Sequence, residues 1–246
     1  MPYKKLFVLG SAILLLMGCA ATQTMISKRN LDVQTKMSNT IFLNPVEDSA
    51  KTIYVQLKNT SDQPNFAINH ELQSALESRG YQVVTSLNSA HYLLQANILQ
   101  VGKTDPTAAE KALLGGYGSS FGAVFTGGAV GALASGWSTK ATLAGGLLGG
   151  IVDTVANAAV KDVTYTVITD LQISERATQG AKIQQTDEST LQQGTSSVSH
   201  QITSSQVGWM RYQTRILSTA EKVNLDFNDA VPLLRNGLAG SIAGIF

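Results

Sequence analysis

The stretch from Ala112 to Val160 constrains this chain most, because it is nearly free of charge and dense in glycine. Only Lys140 and Asp153 within it are ionisable at neutral pH, and glycine occurs 12 times. Two apolar runs of roughly 25 and 20 residues flank the joint Trp137–Lys140. As helices they measure about 37 and 30 Å, long enough to cross hydrocarbon. Trp137 and Lys140 then suit a membrane boundary, as an amphipathic ring and a snorkelling ammonium. Gly115, Gly118 and Gly122 lead a series of small residues at steps of three or four, which predicts one helix-packing face. Gly145/Gly149 and Gly146/Gly150 form overlapping GxxxG pairs, which let helix backbones approach closely in lipid. The expectation is a membrane-inserted helical hairpin. A Gly/Ala-rich hairpin buried in a soluble core is the alternative.

Residues 1–18 read as a processing segment: Lys4 and Lys5, an apolar run from Leu6 to Met17, then Gly18. Cys19 follows and is the only cysteine, so it has no intrachain disulfide partner. Leu16-Met17-Gly18-Cys19 resembles the lipobox of bacterial lipoproteins, which implies acylation at Cys19. Ala20 in place of Asp implies sorting to the outer membrane. Three acyl chains at ~0.8 kcal/mol per buried methylene anchor durably by themselves.

Eighteen basic residues against 17 acidic ones leave a net charge of +1, no electrostatic footprint for nucleic acid and no polybasic patch. Leu31, Val33, Thr35 and Met37 alternate with polar residues as in a strand, and Ile41–Leu43 adds a second short run. Ile53, Val55 and Leu57 alternate likewise. Ile68, Leu72, Ala75 and Leu76 recur at helical spacing, with Gly80 as the stop. Tyr81–Thr85 and Tyr92–Val101 complete a βαβ-like unit. Val163–Ile173, Arg211–Ser218 and Val223–Phe227 read as strands. A terminal helix starts at Asn228-Asp229, with Pro232 in its first turn. Arg176–Gly208 is polar throughout and reads as a long exposed loop or a polar hairpin.

These readings divide the chain into a signal (1–18), an acylated tether (19–29), the first half of a domain (30–104), the Gly-rich hairpin (105–160) and the second half (161–246) with its polar loop (176–208). The predicted fold class is α+β: a small sheet with one or two packed helices, interrupted by a transmembrane hairpin.

Candidate chemistry is thin. His70, His91 and His200 show no ligand spacing, so no metal site is expected. Gly116–Gly122 looks like a glycine fingerprint but is followed by no Lys-Ser/Thr and precedes an apolar run, so no phosphate-bearing cofactor is expected. Asp153, an acid inside an apolar run, is the one candidate intramembrane group. No nucleophile–base pair is visible, and no enzymatic activity is expected.

Several ordered blocks carry a family resemblance: SKRNLDVQTKMSNTIFLNP (Ser27–Pro45), VQLKNTSD (Val55–Asp62), GYQVVTS (Gly80–Ser86), QANIL (Gln95–Leu99), KDVTYTVITDLQISER (Lys161–Arg176) and RYQTRILSTAEKVNL (Arg211–Leu225). Together they resemble the TraT surface-exclusion and complement-resistance lipoproteins from about Lys28 to the C-terminus. The resemblance implies an oligomeric outer-membrane lipoprotein that blocks redundant conjugative mating and helps cells resist complement. Its implied partners are the membrane, further copies of itself and surface proteins of mating cells. A transport assembly, with hairpins lining a passage, is the alternative of a different class.

Overall fold

The computed structural model describes residues 28–119, 162–177, 183–193 and 197–246. Their order is β1 (Asp32–Met37), β2 (Thr52–Asn59), α1 (Asn69–Glu77), β3 (Gln82–Val84), β4 (Tyr92–Lys103), α2 (Pro106–Leu114), β5 (Asp162–Arg176), β6 (Ile183–Gln193), β7 (Ser197–Val207), β8 (Trp209–Val223) and α3 (Phe227–Ala243). Six strands form one mixed sheet in the order β1-β8-β5-β4-β2-β3, and β6 with β7 forms a second. β2 runs parallel to β3 and β4, and the β4–β5–β8–β1 pairings are antiparallel.

Alternation places the core. Along β4, Tyr92, Leu94, Ala96 and Ile98 are buried at every second position, and a bulge shifts the register between Ile98 and Gln100. With Val167, Leu171, Ile173, Ile216 and Ala220 they pack against α1 and α3. From α1 come Leu72 and Leu76, after which Gly80 at φ +84° turns the chain into β3. From α3 come Ala230, Leu234, Leu238 and Ile242, one face at steps of four.

The opposite face of the sheet meets α2. Ala109, Ala112 and Leu113 cover Ile168 and Leu217, the immediate neighbours of Val167 and Ile216 on the strands. Residues Val167 and Ile168 are thus both fully buried, one under each layer. Asp105 caps α2 by accepting from the Ala108 N–H at 3.1 Å, and Pro106 opens its first turn.

The architecture corrects the expected fold class. The described chain is mostly a curled sheet with three helices, and none of these helices is long and apolar enough to cross a membrane. The apolar reading from Ala112 onward fails at a definite place. α2 ends at Leu114, and Gly116 and Gly118 take φ +71° and +72°, which no continuing α-helix allows. Ala112 and Leu113 face the sheet, where they have β-strand partners in place of lipid.

Three smaller readings also change. Ile41–Leu43 forms no strand, and its Phe42 side chain is 82% exposed. Val223–Phe227 is not a separate strand, because β8 runs unbroken to Val223 and Phe227 already begins α3. Pro232 lies six residues into α3, beyond the first turn. The polar segment takes the hairpin alternative, with β6 and β7 paired from Ile183↔Val207 to Gln193↔Ser197.

One glycine is free to be improved. A Cβ built on Gly240, inside α3, meets no atom within 4 Å, and its φ is not positive. Gly240→Ala is expected to stabilise the fold by roughly 0.5–1 kcal/mol, read as a higher urea midpoint with unchanged slope.

Candidate functional site

The α2 side of the sheet carries its polar residues in rows, because strand register stacks like with like. Gln56, Gln95, Gln172 and Gln213 are direct cross-strand neighbours on β2, β4, β5 and β8. Their amides form one continuous chain. The Gln213 Nε2 donates to Gln172 Oε1 at 2.8 Å, Gln172 Nε2 to Gln95 Oε1 at 3.0 Å, and Gln95 Nε2 to Gln56 Oε1 at 2.7 Å. All the amides point the same way, so each bond polarises the next.

Two residues further along the strands lies a second row: Lys58, Asn97, Asp170 and Arg215. Arg215 is 1% exposed, and its guanidinium is forked onto Asp170, with Nε to Oδ1 at 2.6 Å and Nη2 to Oδ2 at 3.0 Å. The remaining N–H groups reach the chain that leaves α2. Nη1 donates to the Ala112 carbonyl at 3.0 Å and to Ser119 Oγ at 2.6 Å, and Nη2 to the Ser119 carbonyl at 3.0 Å. All five guanidinium donors are therefore used, which only the planar fork of arginine can do. Asp170 accepts once more, from the Gly118 N–H at 2.9 Å.

This knot fixes the root of the Gly-rich segment on the sheet. The left-handed Gly116 and Gly118 let the chain double back over Asp170. Gly115 is needed for a different reason, since a Cβ there would stand 2.5 Å from Ser119 Oγ, the atom that Arg215 holds. Tyr117 projects beside the knot, 38% exposed, and burial raises its phenol pKa, with the Asp170 carboxylate adding to the effect. Gln56, Lys58, Gln95, Asn97, Tyr117, Gly118 and Asp170 enclose a recess of about 270 Å³. Its groups are amides, one ammonium, one phenol and the Asp170 carboxylate, a set suited to holding a polar partner by hydrogen bonds.

A second buried carboxylate lies on the other face. Glu175 is 3% exposed and accepts from Tyr212 Oη at 3.1 Å, with the Asn44 amide at 3.4 Å from both its oxygens. Burial raises the Tyr212 phenol, and the Glu175 charge raises it further. That keeps the hydroxyl protonated as the donor this carboxylate needs.

Of the residues singled out in the sequence, the structure places Gly115 at the end of α2 and Gly118 in the turn on Asp170, not on one helix face. Gly122, Gly145, Gly146, Gly149, Gly150, Trp137, Lys140, Asp153 and Cys19 lie outside the described residues. Local sequence periodicity predicts neither the knot nor the glutamine row. Their one sequence signal is a glutamine or a charge at alternate positions of otherwise apolar strands, as in QANIL and TDLQI.

A family model described as Enterobacterial TraT complement resistance protein matches residues 30–246, which takes in the sheet, all three helices and the knot. The chain belongs to the TraT family. A TraT complement resistance protein of Escherichia coli is 45% identical over 237 residues, covering 96% of this chain and 94% of that one. That of Escherichia coli strain K12 is 42% identical over 251 residues, covering 100% and 99%. A more distant TraT complement resistance protein, from Wigglesworthia glossinidia brevipalpis, is 30% identical over 233 residues, covering 94% and 91%. The TraT match runs through both halves of the sheet and the Gly-rich segment between them.

Proposed function

We propose that this TraT-family chain is an acylated outer-membrane lipoprotein that acts in complement resistance and in surface exclusion of redundant conjugative mating. It works as a homo-oligomer that binds or masks surface partners and makes or breaks no covalent bonds. The family match over residues 30–246 carries this reading. The Leu16–Cys19 sequence supports the anchor. The recess bordered by Tyr117 and Lys58 supports recognition through polar contacts with a protein or saccharide surface.

Recipient cells expressing the chain should receive a conjugative plasmid of matched type less often, and should survive serum better, than cells without it. Cys19→Ser should abolish palmitate incorporation and, by releasing the protein from the membrane, remove both effects. A Cys19→Ser protein that still incorporates palmitate would refute the anchor. Normal mating and serum killing in cells with fully acylated protein would refute the function.

A further inference from the structure

We infer that the β6–β7 hairpin is an assembly arm, completed when its β6 edge pairs with the β7 edge of a second copy of this chain. This rests on the oligomeric reading above and names the element that performs it. The arm is two strands of 11 residues each, in unbroken register. At ~3.4 Å per residue it is about 37 Å long. Among the described residues no third strand joins either of its edges.

Two strands alone are marginal in water, and a third is the usual requirement for persistence. This arm has little apolar area to offset that: Ile183, Leu191, Val198, Ile202 and Val207 are its only large aliphatic residues. The edges of the main sheet show how the same chain blunts a strand it intends to leave unpaired. β3 is only three residues long, and β1 carries Asp32 and Lys36. The arm's strands are long and contain no Lys, Arg or Pro; their only charges are Asp187 and Glu188 on β6, and β7 has none.

The base of the arm is fixed to the folded core. The Ala177 N–H donates to the Gly208 carbonyl at 2.9 Å, and the Arg176 guanidinium lies 4.5 Å over the Trp209 ring. Arg176 also donates to the carbonyls of Ala90 and Leu87, each at 2.9 Å.

Charge selects the pairing. Asp187 and Glu188 sit at the middle of β6, and β7 carries no acid. A two-fold β6–β6 pair would bring the acids of the two copies opposite one another at its centre, which is unfavourable. A β6-to-β7 pair avoids that and is heterologous, so repeating it satisfies every edge only in a closed ring.

The test uses the full acylated chain in detergent, measured by native mass spectrometry and by amide exchange over a concentration series. Residues 178–207 are replaced with Asn-Gly in a second protein, so that the Ala177–Gly208 pair closes as a two-residue turn. The full chain should form a ring in which both β6 and β7 amides gain protection as concentration rises. The arm-less protein should keep the melting temperature of the dissociated chain within a few degrees and self-associate at least ~tenfold more weakly. Assembly undiminished without the arm overturns this inference and leaves the oligomeric reading standing. Protection of β7 alone overturns the heterologous pairing, and protection that needs a different protein overturns pairing between copies. A full chain that stays monomeric at every concentration overturns the oligomeric reading as well.

Discussion

Arg215→Ala is expected to cost about 3–5 kcal/mol of folding stability, the usual range for removing one partner of a buried ion pair. The cost comes from what is left behind. Asp170 keeps a carboxylate whose side chain is only 11% exposed, and its remaining described partner is the Gly118 N–H. The Ala112 and Ser119 carbonyls lose their donors at the same time. Arg215→Lys keeps the charge but supplies a point donor where a fork is required, so it should fall between the wild type and Arg215→Ala. Asp170→Asn paired with Arg215→Leu should be less destabilising than the sum of the two single changes, because neither charge is then stranded. Urea denaturation measures all five variants. A second readout is local: limited proteolysis after Leu114 should speed up in Arg215→Ala at urea concentrations where the rest of the sheet stays folded. Additive single and double variants would show that the two side chains are not coupled, and the account of the knot would fail.

What the sequence disclosed depended on how many faces of an element are buried. β1, β2 and β4 each have one covered face, so their alternation is legible, and α1 announces its end with Gly80. β5 and the middle of β8 are buried on both faces, as Val167 with Ile168 and Ile216 with Leu217 show. There the apolar run predicts a strand but not which neighbour lies on which side. The knot was illegible because it joins residues 45 and 96 positions apart through a sheet register that no local pattern fixes. The Gly-rich run misled at its start for a physical reason: hydropathy scores Ala112–Gly118 the same whether its glycines lie on a helix face or reverse the chain. Only their positive φ separates the two. Family resemblance succeeded where periodicity did not, since it compares ordered blocks and needs no assignment of faces.

Leu238→Ala should lower stability by about 2–5 kcal/mol, while Leu233→Ala on the same helix should change it by no more than ~0.5 kcal/mol. Both substitutions remove the same atoms and give α3 the same propensity, so burial alone decides the difference. Leu238 is 0% exposed within the main core, and Leu233 is 36% exposed. α3 packs on α1, β1, β5 and β8, so a cavity at Leu238 opens between the helix layer and the sheet. It cannot be refilled easily, because the neighbouring contacts Ala230, Leu234, Ala239 and Ile242 are themselves packed and nearly inaccessible. If α3 folds together with the sheet, Leu238→Ala lowers the urea midpoint with its slope intact. If α3 is a separately melting element, the slope falls, and far-ultraviolet ellipticity is lost before the sheet unfolds, together with the tyrosine signal of Tyr81 and Tyr92, whose rings pack on Phe246 just beyond the helix. Equal losses for Leu238→Ala and Leu233→Ala would mean that α3 does not close the core, and the helix would then have to be placed elsewhere on the sheet.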